Sequence, residues 1–300
     1  MKVAIVGSGA VGLLIASFLY DSKIETILYT NRSEQADKIN REGIQVYRND
    51  ISRKVFIKAI PFIRGIEPVD LIIVTVKQYH LKPIIDYLVH TENRCPILFL
   101  QNGMSHIEDL PSLFTNTIFV GVVEHGVLKR NDNTVEHTGM GQVKISCFKG
   151  ECGETLPLFE KLNDEGFLFK FEQEWYPMLI QKLVVNAIIN PLTVLYSIRN
   201  GSLLTNSYYF KNMQLLYSEI LPLMNGVDDD KLWRGLVEIC EKTAANYSSM
   251  YMDIKNNRQT EVDAILGYLL SEGRKNKISL PLISFLYYCI KGKERGEGIG

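Results

Sequence analysis

The sequence predicts a parallel α/β domain followed by an all-helical domain. Three observations carry this reading. Short apolar runs alternate with helical stretches through the first half, a glycine-rich turn joins the first run to the first helix, and the chain beyond Trp175 has helical apolar periodicity almost throughout. A length of 300 residues suits about two domains. We set the division near residue 170, giving a first domain over 1–170 and a helical one over 171–300.

Taken in order, Lys2–Val6 is a short buried-strand pattern ending in glycine. Val11–Tyr20 is a helix, Thr26–Thr30 a second strand, Ser33–Glu42 another helix and Val55–Ile57 a short strand. Asp70–Val76 (DLIIVTV) is an unbroken apolar strand, and Leu81–Val89 the helix after it. Ile97–Leu100 and Ile118–Val122 are further strands. Continuous apolar strands separated by helices imply a parallel sheet covered on both faces. Over 134–148 the pattern changes, and TVEHTGMGQVKIS reads as a hairpin turning through Gly139–Gly141. Five helices follow, over Trp175–Ile198, Phe210–Met224, Lys231–Met252, Thr260–Gly273 and Pro281–Ile290. The closing KGKERGEGIG is polar and glycine-rich and reads as a frayed tail.

Composition narrows the function classes. A net charge of -1 without a long basic run gives no electrostatic footprint for nucleic acid. Five cysteines, an odd count without CxxC spacing, read as reduced thiols in a cytoplasmic protein. The histidines form neither HxxxH nor HExxH, so no metal site is expected. MKVAIVGSGAVGLLIASFLY has the apolar look of a signal peptide, but three glycines interrupt it and no small-residue cleavage site precedes Asp21. No other apolar run approaches the roughly 20 residues of a membrane span.

Gly7-Ser8-Gly9-Ala10-Val11-Gly12 is a GxGxxG between a predicted strand and a predicted helix, which makes the first domain Rossmann-type. The first glycine permits the tight turn, Gly9 lets a pyrophosphate approach the backbone, and Gly12 lets helix and sheet pack closely. The helix then offers its unpaired N–H groups to the phosphates. An acid at the end of the second strand would bind the ribose 2′-hydroxyl of NAD. Here ILYTNRSEQ has no acid before Glu34, and Arg32 can pair with a 2′-phosphate, so NADP(H) is the favoured cofactor; otherwise Arg32 solvates a loop. Two later strands end in Lys77 and in Asn102-Gly103, where ligands of open α/β sheets bind. Lys77 reads equally as a solvated strand end, and Asn102-Gly103 as a plain turn.

In QKLVVNAIINPLT (181–193), Lys182, Asn186 and Asn190 are each four residues apart in an otherwise apolar run. Steps of four advance about 40° around a helix, so they form one narrow polar stripe on a buried helix. Buried polar groups need partners. Those are either protein, in a seam that fixes helix register, or a small polar ligand. Pro191 should kink the helix and turn Asn190 outward. A second polar cluster, SSMYMDIKNNRQTEVD (248–263), is a candidate site or an ordinary exposed junction, with Thr260 able to cap a helix starting at Glu261.

Together these segments resemble the ketopantoate reductase family. The matching pieces are GSGAVG at 7–12, Arg32, VTVK ending at Lys77, QNGM at 101–104, EHG at 124–126, HTGMG at 137–141 and KLVVNAIINPLT at 182–193. RNG at 199–201, SSMYMD at 248–253 and RQTEVD at 258–263 complete them. The resemblance implies NADPH-dependent reduction of 2-dehydropantoate to (R)-pantoate, on the route to pantothenate and coenzyme A. It implies Lys182 as general acid with Glu261 as its acidic companion. Asn102, Asn186, Asn190, Asn200 and Ser249 are then substrate-binding residues. Gly7, Ser8, Gly9, Ala10, Val11, Gly12, Arg32, Lys77, Asn102 and Gly126 are cofactor contacts. The partner is a small 2-oxo acid, and a homodimer is left open. Departures from the family pattern are Ile180 where tryptophan is common, Asn31 before Arg32, and Val127 for alanine. A paralogous reductase of another 2-oxo acid, and a non-catalytic NADP(H)-sensing regulator, are the alternatives.

Overall fold

A computed structural model describes residues 1–49, 51–91, 94–115, 117–163 and 167–294. β1 (Lys2–Val6) places four buried residues in succession, as a strand covered on both faces does. It is followed by α1 (Ala10–Asp21), β2 (Glu25–Thr30), α2 (Ser33–Glu42), β3 (Ile44–Arg48), β4 (Ile51–Val55), β5 (Lys58–Pro61), β6 (Leu71–Val74), α3 (Lys82–His90), β7 (Ile97–Phe99) and β8 (Ile118–Val123). Then come β9 (Gly126–Asn131), β10 (Thr134–Gly139), β11 (Val143–Lys149), α4 (Leu156–Leu162) and β12 (Phe169–Phe171). The helices α5 (Trp175–Tyr196), α6 (Ser202–Thr205), α7 (Ser207–Ile220), α8 (Asp229–Lys242), α9 (Ser249–Lys255), α10 (Tyr268–Asn276) and α11 (Pro281–Glu294) complete the chain. Of the polar tail expected over 291–300, residues 291–294 instead continue α11, and 295–300 lie outside the described residues.

One sheet has the order β12-β11-β8-β7-β6-β1-β2-β5. Its strands pair in parallel, except β11 against β8. Val6 of β1 is in register with Tyr29 of β2 on one side and Val74 of β6 on the other. The order in which strands are added to the sheet therefore reverses at β1, and the carboxyl ends of β1 and β6 border the crevice where open α/β sheets bind ligands.

A second sheet, β4-β3-β10-β9, was not foreseen. Phe18 of α1 meets the His137 ring of β10 edge-on at 5.9 Å and Phe167 at 4.4 Å, so one helix packs against both sheets. The expected hairpin through Gly139–Gly141 is not formed. β10 pairs with β9 and β3, whereas β11 pairs with β8 and β12. The chain changes sheets there, and Gly141 serves a close crossing: a Cβ on it would lie 2.4 Å from Glu124 O. The cysteine expectation is corrected as well. Cys147 at the end of β11 and Cys152 before α4 form a disulfide, while Cys95, Cys240 and Cys289 are free.

Two compact units emerge, Met1–Gln101 with His106–Met178, and Asn102–Ser105 with the chain from Leu179 on. The second is helical. α5 is 22 residues long and apolar enough by length and composition to cross a membrane, but 83% of its most apolar window is buried in protein, as in a core helix. The single helix expected over Lys231–Met252 is two, α8 and α9. The break has a tertiary cause. Asn200 N–H donates to Asn246 O (3.0 Å) and Gly201 N–H to Ala244 O (3.1 Å), and the Arg199 guanidinium donates to Ala245 O (2.5 Å). These carbonyls are taken by another segment instead of by the next helical turn.

Candidate active site

The glycine turn after β1 is shaped by contact. Gly7 has φ +121°, and a Cβ there would lie 2.7 Å from Val76 N and 2.8 Å from Thr75 Oγ1. A Cβ on Gly12 would lie 1.9 Å from Gly7 O, so α1 closes directly onto the turn. Gly9 differs, since a Cβ there would meet nothing within 4 Å. It would occupy the open space before the first turn of α1, whose N-cap is Gly9 and has no side-chain cap. Unpaired N–H groups, the positive end of the helix and free volume are what a pyrophosphate requires, so these residues fit a dinucleotide. Thr75 Oγ1 donates to Gly7 O at 2.9 Å and ties the end of β6 to the turn.

The end of β2 carries a polar network. Ser8 Oγ donates to Gln35 Oε1 (2.8 Å), and Gln35 Nε2 donates to Ser8 O (3.0 Å) and Asp132 O (2.7 Å). The Arg32 guanidinium, 53% exposed, lies 2.5 Å from Asp132 Oδ1. Lys129 Nζ donates to Ser8 O at 3.1 Å and is 3.7 Å from the same carboxylate. Burial alone would raise the Asp132 pKa, but the Arg32 hydrogen bond and charge outweigh it and hold the carboxyl below its usual range. Thr30 turns its hydroxyl to Arg32 O (2.8 Å). Two cations and one carboxylate thus stand together beyond the end of β2, and the cations are of the kind that pairs with a phosphate.

Lys77 follows β6, half-buried, with its ammonium 5.8 Å from the Tyr79 ring centre. Gly126 opens β9 against β10, and a Cβ on it would lie 2.8 Å from Thr138 Oγ1 and 2.9 Å from Gly139 N. Beside it, His125 Nδ1 accepts the Gly141 N–H at 3.2 Å and lies 3.1 Å from His137 Nε2. Its proton is therefore on Nε2, which is buried without a partner among the described residues. Burial, then the neighbouring His137, hold the His125 pKa down to about 4, so the ring is neutral.

In the second unit α5 presents the predicted stripe. Lys182 is half-buried, and Asn186 and Asn190 are 8% and 6% exposed, among buried Leu183, Val184, Val185, Ala187, Ile188 and Ile189. The helix runs unbroken through Pro191, and Asn190 stays in it rather than turning out. Thr193 braces this turn, its Oγ1 lying 2.8 Å from Ile189 O and 2.9 Å from Asn190 O. The same hydroxyl is 2.7 Å from Ser248 Oγ, which N-caps α9 by accepting the Tyr251 N–H at 3.1 Å. Ser248 is thereby a buried fastener, and Ser249, the first residue of α9, is the exposed hydroxyl.

Glu261 Oε2 accepts from Asn102 Nδ2 at 2.9 Å, both within this unit. Gly103 has φ +79°, and a Cβ on it would lie 2.2 Å from Ala264 O, so only glycine lets the Asn102 turn approach. Ala264 belongs to a π-helical turn, Asp263–Gly267, a local irregularity common at functional sites. Thr260 Oγ1 accepts the Val262 N–H at 3.2 Å, just ahead of the helical residues, which begin at Val262 rather than at Glu261 as foreseen. Asn200 is engaged elsewhere: its Nδ2 donates to Thr243 Oγ1 (2.9 Å), and its carbonyl accepts from Cys240 Sγ (3.0 Å). It follows the end of α5, which lies roughly 20 Å along the axis from Lys182.

The ketopantoate reductase PanE/ApbA model matches residues 3–150, and the model of its C-terminal part matches residues 174–294. The chain belongs to the ketopantoate reductase family. The 2-dehydropantoate 2-reductase of Bacillus subtilis (strain 168) is 39% identical over 296 residues, 98% of both chains. That of Listeria innocua is 38% identical over 302 residues, 98% of this chain and 97% of the other. A crystal structure described as a probable 2-dehydropantoate 2-reductase from Bacillus subtilis has a TM-score of 0.88 at 39% identity, covering 98% of this chain and 100% of that one. A D-mandelate dehydrogenase solved with NADH and anilino(oxo)acetate has a TM-score of 0.89 at 24% identity over 98% and 99% of the chains, a likeness of fold alone.

Within this family member, sequence reasoning overlooked Gln35, Lys129, Asp132 and Thr193. Thr193 continues the stripe one turn past Asn190 and had a spacing signal. Gln35 shares a helix face with the buried Ala36 and Ile39, which was also readable. Lys129 and Asp132 arrive through the second sheet and have no local signature.

Proposed function

We propose that this chain reduces 2-dehydropantoate (ketopantoate) to (R)-pantoate with NADPH, in the pathway to pantothenate and coenzyme A. The stripe on α5 carries the reading: a half-buried ammonium followed by two buried amides on an otherwise apolar helix. Such groups suit a small, doubly polar substrate. We assign cofactor binding to residues 1–170 and substrate binding with catalysis to 171–300. Gly7–Gly12, Arg32, Lys77, Asn102 and Gly126 would hold the cofactor, which supplies the hydride when bound.

The remaining chemistry belongs to side chains. Negative charge grows on the substrate's carbonyl oxygen during reduction, and the Lys182 ammonium stabilises it and donates a proton from Nζ. Asn186, Asn190 and Ser249 offer neutral hydrogen bonds to a carboxylate and a hydroxyl. Glu261, oriented by Asn102, compensates the lysine charge or accepts from the substrate hydroxyl. Asn200 stays in the substrate set on family resemblance, while its contacts support packing. We further propose a cytoplasmic enzyme and a homodimer. In support of the latter, a Staphylococcus aureus enzyme of the same fold is described as a dimeric ketopantoate reductase.

The test is NADPH oxidation with 2-dehydropantoate against a panel of other 2-oxo acids. A stronger response to another acid would favour the paralogue reading, and turnover of any of them excludes a pure regulator. Lys182→Ala should lower kcat by about 10²–10³-fold with NADPH binding unchanged. Full activity in that variant refutes the assignment.

A further inference from the structure

The last helix grips the segment that carries Glu261. The backbone N–H and the hydroxyl of Thr260 both donate to Glu294 Oε1, at 2.7 and 2.6 Å. Thr260 is 1% exposed and the Glu294 side chain 8%, so this pairing is out of water. The other oxygen of Glu294 is 2.8 Å from Lys291 Nζ, which also reaches Asp263 Oδ2 at 3.0 Å. Asp263 Oδ1 in turn accepts from the Tyr287 hydroxyl at 2.7 Å. Tyr287, Lys291 and Glu294 lie at spacings of four and three, on one face of α11. That face fixes residues 260 and 263, on either side of Glu261.

A buried carboxylate is a costly way to dock a helix, and an apolar contact would do it with less desolvation. What the carboxylate adds is direction. Two donors converging on one oxygen fix the rotation of the Thr260 peptide, and the next side chain is Glu261. Its carboxylate is aimed from the other end by Asn102 at 2.9 Å. The Glu261 backbone is held in turn by its carbonyl, which accepts the Ile265 N–H at 3.1 Å, ahead of the π-helical turn that begins at Asp263.

We propose that Glu294 is a positioning residue for Glu261, holding it through Thr260. This rests on the reading of Glu261 as part of the catalytic set. The test compares Glu294→Ala, Glu294→Gln, Glu261→Ala and the double variant Glu261→Ala/Glu294→Ala in the full chain. Steady-state kinetics with 2-dehydropantoate, NADPH titration and thermal melts are measured for each. Glu294→Ala should lower kcat/KM by about tenfold or more while the NADPH Kd stays within about twofold. Glu294→Gln, whose amide oxygen still accepts from Thr260, should recover most of the loss. On the Glu261→Ala background, Glu294→Ala should cost nothing further. An equal loss on both backgrounds, or no loss in Glu294→Ala, overturns the proposal. Full activity of Glu261→Ala would sink the catalytic reading itself, and the proposal with it. If Glu294→Ala does not fold, Thr260→Val, which removes the hydroxyl donor, is held to the same non-additivity.

Discussion

Mild acid should destabilise this protein, and His106 sets the scale. The ring is 1% exposed, lies near Phe99 with 6.5 Å between centres, and its Nδ1 has no partner among the described residues. Burial holds its pKa at about 4, against 6.5 in the open chain. Between these values the unfolded chain binds the proton and the folded one does not, so stability is full above the upper value and falls as pH drops toward the lower. The loss from this residue alone is about 1 kcal/mol near pH 6 and about 2 kcal/mol near pH 5, out of a typical 5–15 kcal/mol. His125 and His137 are lowered in the same direction, so the slopes reinforce one another. Urea unfolding at a series of pH values, compared with His106→Gln, isolates the contribution. The variant's stability should fall by about 2 kcal/mol less between about pH 7 and pH 5. Parallel curves for the two proteins would refute the argument.

Three further outcomes follow from the geometry. Arg32→Ala should weaken NADPH about tenfold or more and NADH little, since a charge-assisted bond to phosphate exceeds the half-exposed Asp132 pair it replaces; equal losses in a fluorescence titration defeat that reading. Gly12→Ala drives a Cβ to 1.9 Å from Gly7 O, so it should lower the melting temperature, with an overpacking cost of about 1–3 kcal/mol, and weaken cofactor binding. Unchanged binding and melting would show that the turn tolerates a side chain. Thiol titration of unfolded, unreduced protein should find the three free cysteines, and five after reduction, with five at the outset refuting the Cys147–Cys152 bond.

The parallel sheet was legible because its strands are buried on both faces, and runs such as LIIV are apolar without alternation. The second sheet was not. ISRKV and GVLKRN are short, charged and partly exposed, so neither period nor composition marks them. TVEHTG-MGQVKIS does contain two strands, but their partners are distant in sequence, and nothing local tells a hairpin from a crossing between sheets. The split of α8 from α9 had the same origin, since residues 199–201 cap carbonyls more than forty positions away. On the candidate site, the α5 stripe was readable because helical geometry converts spacing into a face. The division of labour between Ser248 and Ser249 was not, because it is decided by Thr193 across the fold.

The margins of the eight-stranded sheet have a consequence for how copies of this protein associate. One margin, β12, is three residues long and carries Lys170 at its centre; the other, β5, has four residues and ends in Pro61, which has no N–H to offer. Neither makes a good template for another strand, since brevity, a lysine and a proline are the usual means of blunting an exposed edge. Self-association by extending this sheet is thereby discouraged, and a dimer that used its margins would have to be built from side chains rather than from a continued ladder of peptide groups.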